Sequence, residues 1–121
     1  MKILFLLIFS AIFANDRSWD EKLLYSASFG GVDVATATLK SKKIKNIENQ
    51  DILRIEFKAK SKPSLKYIFP INDKIIVDVD LNTWQPLKVE KKIREGSYKQ
   101  NSLSTFDHKN NISNAFKRSC F

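Results

Sequence analysis

The chain has 121 residues, 21 of them Lys or Arg against 13 Asp or Glu, with one His and one Cys and a formal net charge of +8. That length suits one domain, and the lone Cys120 excludes an intramolecular disulfide and a thiolate metal cluster. The positive balance favours anionic partners, namely lipid headgroups, acidic polymers or nucleic acid; most of the cations are Lys, however, whereas phosphate-gripping sites favour the bidentate guanidinium, so a solvated basic surface is the simpler reading.

The chain opens with "MKILFLLIFSAIFA", residues 1–14. One cation, Lys2, precedes an apolar run that ends on the small residue Ala14. The run is too short to span a bilayer, which takes about 20 apolar residues, but it has the order and size of a secretory leader. We therefore expect a signal-peptide helix cleaved after Ala14, and a soluble protein exported to the periplasm and beginning near Asn15. Loss of Lys2 lowers the net charge to +7. Export argues against a nucleic-acid partner. It leaves a lipid or an envelope protein as the expected one, with oligomeric state undetermined.

Beyond the leader the dominant period is two, the signature of strands. In "EKLLYSASFGGVDVATATLKS", Leu23, Tyr25, Ala27 and Phe29 alternate with more polar neighbours. Gly30-Gly31 supplies the positive φ angles of a two-residue hairpin turn. That turn predicts the pairs Phe29–Val32, Ala27–Val34 and Tyr25–Thr36 on one face. On the other it predicts Ser28–Asp33, Ser26–Ala35 and Leu24–Ala37. In this register Ser26, Ser28, Ala35 and Ala37 share a face of small side chains. Such a face leaves the backbone close to whatever packs there, and those four are the candidate ligand-binding residues.

After the polar turn "SKKIKNIENQD" comes "ILRIEFKAKS", with Leu53, Ile55, Phe57 and Ala59 on one side and Arg54, Glu56, Lys58 and Lys60 on the other. This is a half-buried strand with one wet face. Pro63 and Pro70 exclude a central strand across "KPSLKYIFPIND", which reads as a connection dropping Leu65, Tyr67 and Phe69 onto the core. "KIIVDVD" turns Ile75, Val77 and Val79 inward and Asp78 and Asp80 outward. Asn82, Thr83 and Pro86 mark a turn, in which Trp84 is expected to cap the end of the core. "PLKVEKKIREG" alternates Leu87, Val89 and Ile93 with Lys88, Glu90, Lys92 and Arg94; Lys91 is the exception on the apolar side. Gly96 breaks the run, and "SYKQNSLSTFD" returns as a more polar strand. Residues 111–121 lack alternation over a useful length and read as a frayed tail.

These elements give an all-β fold: an antiparallel meander of five or six long strands forming a curved sheet or incomplete barrel, preceded by the signal-peptide helix. The domain organisation is a leader over 1–14, one β-rich domain over 15–110 and a disordered tail over 111–121. Tyr25, Phe29, Val34, Ile55, Phe57, Ile75, Val77, Val89 and Ile93 are expected to be buried.

The chemistry is sparse. No G-x-S-x-G, P-loop, C-x-x-C or H-E-x-x-H occurs, and no cofactor or metal site is expected. Asp107 and His108 are adjacent and would point to opposite faces of a strand. Asp73, Asp78 and Asp80 could form the carboxylate set of an envelope hydrolase; Asp at strand ends and turns is common, however, and a non-enzymatic role is favoured. Aromatic and basic residues interleave along the chain, as they do in sheets that bind single-stranded nucleic acid.

Two stretches carry a family resemblance. Glu21, Leu23 and Tyr25, the turn Gly31-Val32, and the small-residue strand that follows are one. The other runs through Pro70, Ile71 and Asp73, then Asp80, Thr83 and Pro86, then Glu95, Gly96 and Tyr98. Together they resemble the bacterial exported family known as domain of unknown function 3108 (DUF3108), over roughly residues 20–107. The resemblance implies an exported β-rich protein with no established reaction and no catalytic residues to carry over. It also invites comparison with periplasmic lipoprotein-carrier half-barrels, at the level of fold alone. Ala35 stands where the family often has Gly, which crowds the small-residue face slightly. Family members usually continue with further strands, so a shortened, non-functional copy is a second expectation for this chain.

Overall fold

The computed structural model describes residues 19–120, and the leader read over residues 1–14 lies outside that range. Seven strands form one sheet: β1 (Glu21–Phe29), β2 (Val32–Lys45), β3 (Asp51–Ser61), β4 (Asn72–Asp80), β5 (Pro86–Glu95), β6 (Tyr98–Asp107) and β7 (Ile112–Cys120). Each strand pairs antiparallel with the next, in the order β1-β2-β3-β4-β5-β6-β7, so the sheet is an open, curved meander with β1 and β7 at its edges.

The turns follow their residues. Gly30 and Gly31 have φ of 59° and 79°, the two left-handed conformations of a type I′ hairpin turn, and Phe29 pairs with Val32 across them. Gly96 (φ 59°) opens the equally short turn between β5 and β6, where Glu95 pairs with Tyr98. Between β3 and β4 the two prolines end the strand as expected. The chain makes a compact loop whose amides of Leu65, Lys66, Ile68 and Phe69 donate back to the carbonyls of Lys62 or Leu65. That loop is tied to the sheet by Gly96 N–H donating to Pro70 O at 2.8 Å and by a bridge between Ile71 and Glu95.

Four expectations are corrected. Residues 112–120 are not a frayed tail: they form β7, in register with β6 from Lys99–Cys120 to Asp107–Ile112. Their weak alternation hid a strand whose neighbour is itself polar, so little apolar contrast is needed. The small-residue face is also wrong. Ser28–Asp33 and Phe29–Val32 pair as expected, but the register shifts between Ala27 and Ser28, and Ala27 then faces Ala35, Ser26 faces Thr36 and Tyr25 faces Ala37. Val34 is the extra residue of a β-bulge. A one-residue slip moves every later side chain to the other side. Ala35 and Ala37 therefore join Tyr25 and Ala27, whereas Ser26 and Ser28 lie on the opposite face with Thr36 and Asp33.

The third correction concerns burial. Tyr25 is 51% exposed and Phe29 82%; Val34, Ile55, Phe57, Ile75, Val77, Val89 and Ile93 are half-buried. A single sheet shields its side chains only by their in-plane neighbours, and no second layer covers them among the described residues. Lastly, of the loop residues expected on the core, Leu65 is half-buried while Tyr67 and Phe69 are exposed. Trp84, at φ 59°, lies against Trp19 with ring centroids 5.6 Å apart and stays more than half exposed.

Candidate functional site

The two faces of the sheet differ in kind. Register places Tyr25, Ala37, Ala59, Phe57, Ile55, Ile75, Val77 and Val89 on one face, which we call the apolar face. Arg54, Glu56, Lys58 and Lys60 of β3 and their partners Lys74, Ile76 and Asp78 of β4 lie on the other. The alternation read in β1, β3 and β4 thus adds up across the sheet, whereas in β2 the bulge at Val34 interrupts it. Lys91 is the anticipated exception, on the apolar face between Ile75 and Ser102.

At the Gly30-Gly31 end of the apolar face, the bulge and the β3–β4 loop together enclose a cavity of about 290 Å³. Phe29, Val34 and Ala35 line it from the first hairpin, Ser61 from the end of β3, and Leu65, Phe69 and Ile71 from the loop. Its walls are apolar. The one hydroxyl among its residues, that of Ser61, accepts from the Ile71 N–H at 3.1 Å and so is occupied with the backbone. The bulge puts Val34 and Ala35 side by side at this spot, and Lys62 N–H donating to Val34 O at 2.9 Å holds the start of the loop over it. Of the four small residues singled out from sequence, Ala35 lines the cavity and Ala37 lies further along the same face; Ser26 and Ser28 are behind the sheet. Sequence reasoning missed Phe29, Leu65, Phe69 and Ile71 as lining. The two prolines flanking the loop were the available signal, because they mark where the chain leaves the sheet.

The three carboxylates proposed for hydrolysis do not converge. Asp78 is buried and forms a two-pronged ion pair with Arg54, Nε to Oδ1 at 2.8 Å and Nη2 to Oδ2 at 2.9 Å; this partner raises the Arg54 pKa against the opposing effect of burial. Asp80 is buried at the end of the same strand. It accepts from the backbone N–H of Asn82 at 2.7 Å, from that of Thr83 at 3.4 Å and from the Gln50 side-chain amide, as an aspartate that builds a turn does. Asp73 is on the apolar face, where it accepts from the Arg94 N–H at 2.8 Å. Its neighbour there is Glu95, whose pKa is raised by the hydrogen bond and repulsion between the two carboxyl groups.

A more polar hollow of about 680 Å³ lies at the opposite end of the sheet, among the β2–β3, β4–β5 and β6–β7 turns, and includes Glu48, Asp80, Asp107 and His108. Two of its acids, Asp80 and Asp107, are committed to turns. Asp107 accepts from the N–H groups of Lys109 and Asn110 and from the Asn110 side chain, which lower its pKa. His108 Nε2 lies 2.6 Å from Pro86 O. A carbonyl can only accept, so that nitrogen carries the proton. Among the described residues no three His, Cys, Asp or Glu side chains are grouped to hold a metal ion.

The family model for a protein of unknown function, DUF3108, matches residues 24–119. The match spans β2 to β6 entirely and most of β1 and β7, and it includes the cavity loop. No curated protein and no solved structure matches the chain. The chain belongs to the DUF3108 family.

Proposed function

We propose that this DUF3108 member is an exported, non-enzymatic protein of the periplasm that holds an apolar ligand, such as a lipid chain, in the cavity beneath the β3–β4 loop. One observation carries the reading: the apolar cavity lined by Phe29, Val34, Ala35 and the loop opens onto a sheet face whose large side chains are exposed, as at Leu23, Tyr25 and Phe29, or no more than half-buried, as at Ile55 and Phe57. Exposed apolar surface of this extent on a soluble protein marks an interaction site, and apolar concavities are the usual form of small-molecule sites. Export is supported by the order of Lys2, apolar run and Ala14 in the sequence. A hydrolytic role has no comparable support, since each of its three carboxylates is engaged by a guanidinium or by backbone amides.

Native mass spectrometry of protein purified from the periplasm tests the ligand. The expected result is a co-purifying apolar molecule that is lost in Ala35→Trp, where the indole fills the cavity. A folded, ligand-free wild-type protein overturns it. N-terminal sequencing of the same sample tests export: the chain is expected to begin at Asn15, and a retained Met1 rejects the leader.

A further inference from the structure

The lysines of this chain are not spread evenly. Assigning each strand residue to a face by its register puts twelve Lys and Arg on the face opposite the cavity, against six Asp and Glu. The apolar face carries four of each. Nearly all the net charge of the described residues thus sits on one side of one sheet.

The arrangement within that face is costly to the fold. Lys58 pairs directly with Lys74, and Lys74 with Lys92; the same row continues through Asn101 to Arg118 on β7. Strands lie about 4.8 Å apart, so the row runs about 19 Å across the sheet. Like charges directly opposite each other destabilise a sheet. Glu56 offsets part of this, at 3.1 Å from Lys58 and 3.7 Å from Lys74, but Lys92 and Arg118 join no ion pair among the described residues. Beside them Leu103 and Phe116 pair across β6 and β7 and remain 40% and 64% exposed.

We infer that this cationic face docks on the surface of a bilayer containing anionic lipid, with Leu103 and Phe116 as its apolar foothold. The charge is distributed over the sheet rather than gathered around a concavity, which fits an extended anionic surface better than a small anion. Lysine-rich surfaces gain attraction from such membranes residue by residue. Single-stranded nucleic acid fits less well. Sheets that bind it stack bases on aromatic rings lying among the cations, whereas here Tyr25, Phe29 and Phe57 lie on the opposite face and Phe116 is the one aromatic strand residue among the lysines. The inference does not depend on the cavity having a ligand.

Co-sedimentation of the full exported chain with vesicles tests it. The vesicles are phosphatidylcholine alone or with about one-third phosphatidylglycerol, each at low and high salt. Three variants are compared with wild type: Lys58→Gln/Lys74→Gln/Lys92→Gln on the cationic face, Lys43→Gln/Lys91→Gln/Lys117→Gln on the apolar face, and Ala35→Trp. Wild type is expected to bind the phosphatidylglycerol vesicles at low salt and to leave them at high salt. Each lysine near the surface is worth about five-fold in partitioning, so the cationic-face triple should lose on the order of 100-fold. The charge-matched triple should lose far less, and Ala35→Trp nothing. Equal losses in the two triples would mean that net charge acts without a docking face, and would overturn the inference. So would absence of wild-type binding, or binding of a single-stranded oligonucleotide in its place. If the cationic-face triple loses its β-sheet circular dichroism, Lys92→Gln and Lys92→Arg decide the matter: the first should weaken binding about five-fold and the second preserve it.

Discussion

At the scale of single residues, the buried polar groups are structural, and their energetics can be read from their partners. Arg54→Ala leaves Asp78 buried without its guanidinium, and an unpaired buried charge is expensive; we expect a loss of about 1–3 kcal/mol in urea unfolding. Asp80→Ala removes acceptors from two turn amides and should cost about 1–2 kcal/mol, as loss of a capping side chain does. Titration should follow the same partners. The pKa of Asp51 is lowered by Lys45 and Lys43 and that of Asp107 by Asn110 and Lys109. Glu56 is lowered as well, because Lys58, Lys74 and Lys40 outweigh the burial that would raise it. A carboxylate with a lower pKa folded than unfolded stabilises the fold above its unfolded value near 4. That contribution is lost as pH falls through the lowered one, so the urea midpoint should drop below about pH 4. Glu95 has the opposite sign. Its raised pKa means that the contact with Asp73 favours folding at low pH and ceases to as pH rises through the folded value. Glu95→Gln, which needs no proton to donate, should therefore raise the midpoint at neutral pH and leave it little changed at pH 3.

At the scale of elements, the bulge at Val34 is the feature on which the site depends. Ala27 pairs with Ala35 and Ser28 with Asp33, so deleting Val34 would join the two halves of the β1–β2 ladder without moving any other side chain to a new face. The variant should keep its β-sheet circular dichroism yet lose one wall of the cavity, and with it the apolar ligand proposed above. Retention of that ligand would place it elsewhere on the sheet. The bulge was not legible in the sequence. Gly30-Gly31 fixes the register at the turn, but an extra residue four positions on leaves the apolar–small alternation of "VDVATATL" looking regular. By contrast, the turn at Gly96 and the break at Pro63 and Pro70 were legible, because each acts through its own backbone: a left-handed φ in one case, a missing N–H in the others.

At the scale of the whole molecule, one layer of sheet accounts for the burial pattern. No described side chain is fully buried, and the two apolar residues that come closest, Ile52 and Leu53, are sequence neighbours on opposite faces. Truncating a central side chain should accordingly cost less than in a two-layer domain. Phe57→Ala is expected to lose about 1–2 kcal/mol in urea unfolding, against about 3–5 kcal/mol for a fully buried Phe. A value in the upper range would indicate that something covers the apolar face in solution.

What the sequence determined by itself was most of the strand pattern from residue 21 to residue 107, though Ser41 to Lys45, read as part of a turn, extend β2, along with most of the turns and the separation of apolar from charged side chains along most strands. A period of two and the φ demands of Gly and Pro act locally, so they can be read from neighbouring residues alone. Family membership was legible for the same reason, through the spacing of residues such as Asp80, Thr83 and Pro86. What tertiary structure decided was which residues of different strands meet. The bulge separated Ala35 from Ser26 and Ser28, β6 turned residues 112–120 from an apparent tail into a strand, and alignment of seven strands gathered scattered lysines onto one face. Each of these rests on pairing between distant segments, where a single extra residue exchanges the two faces and no local preference records the outcome.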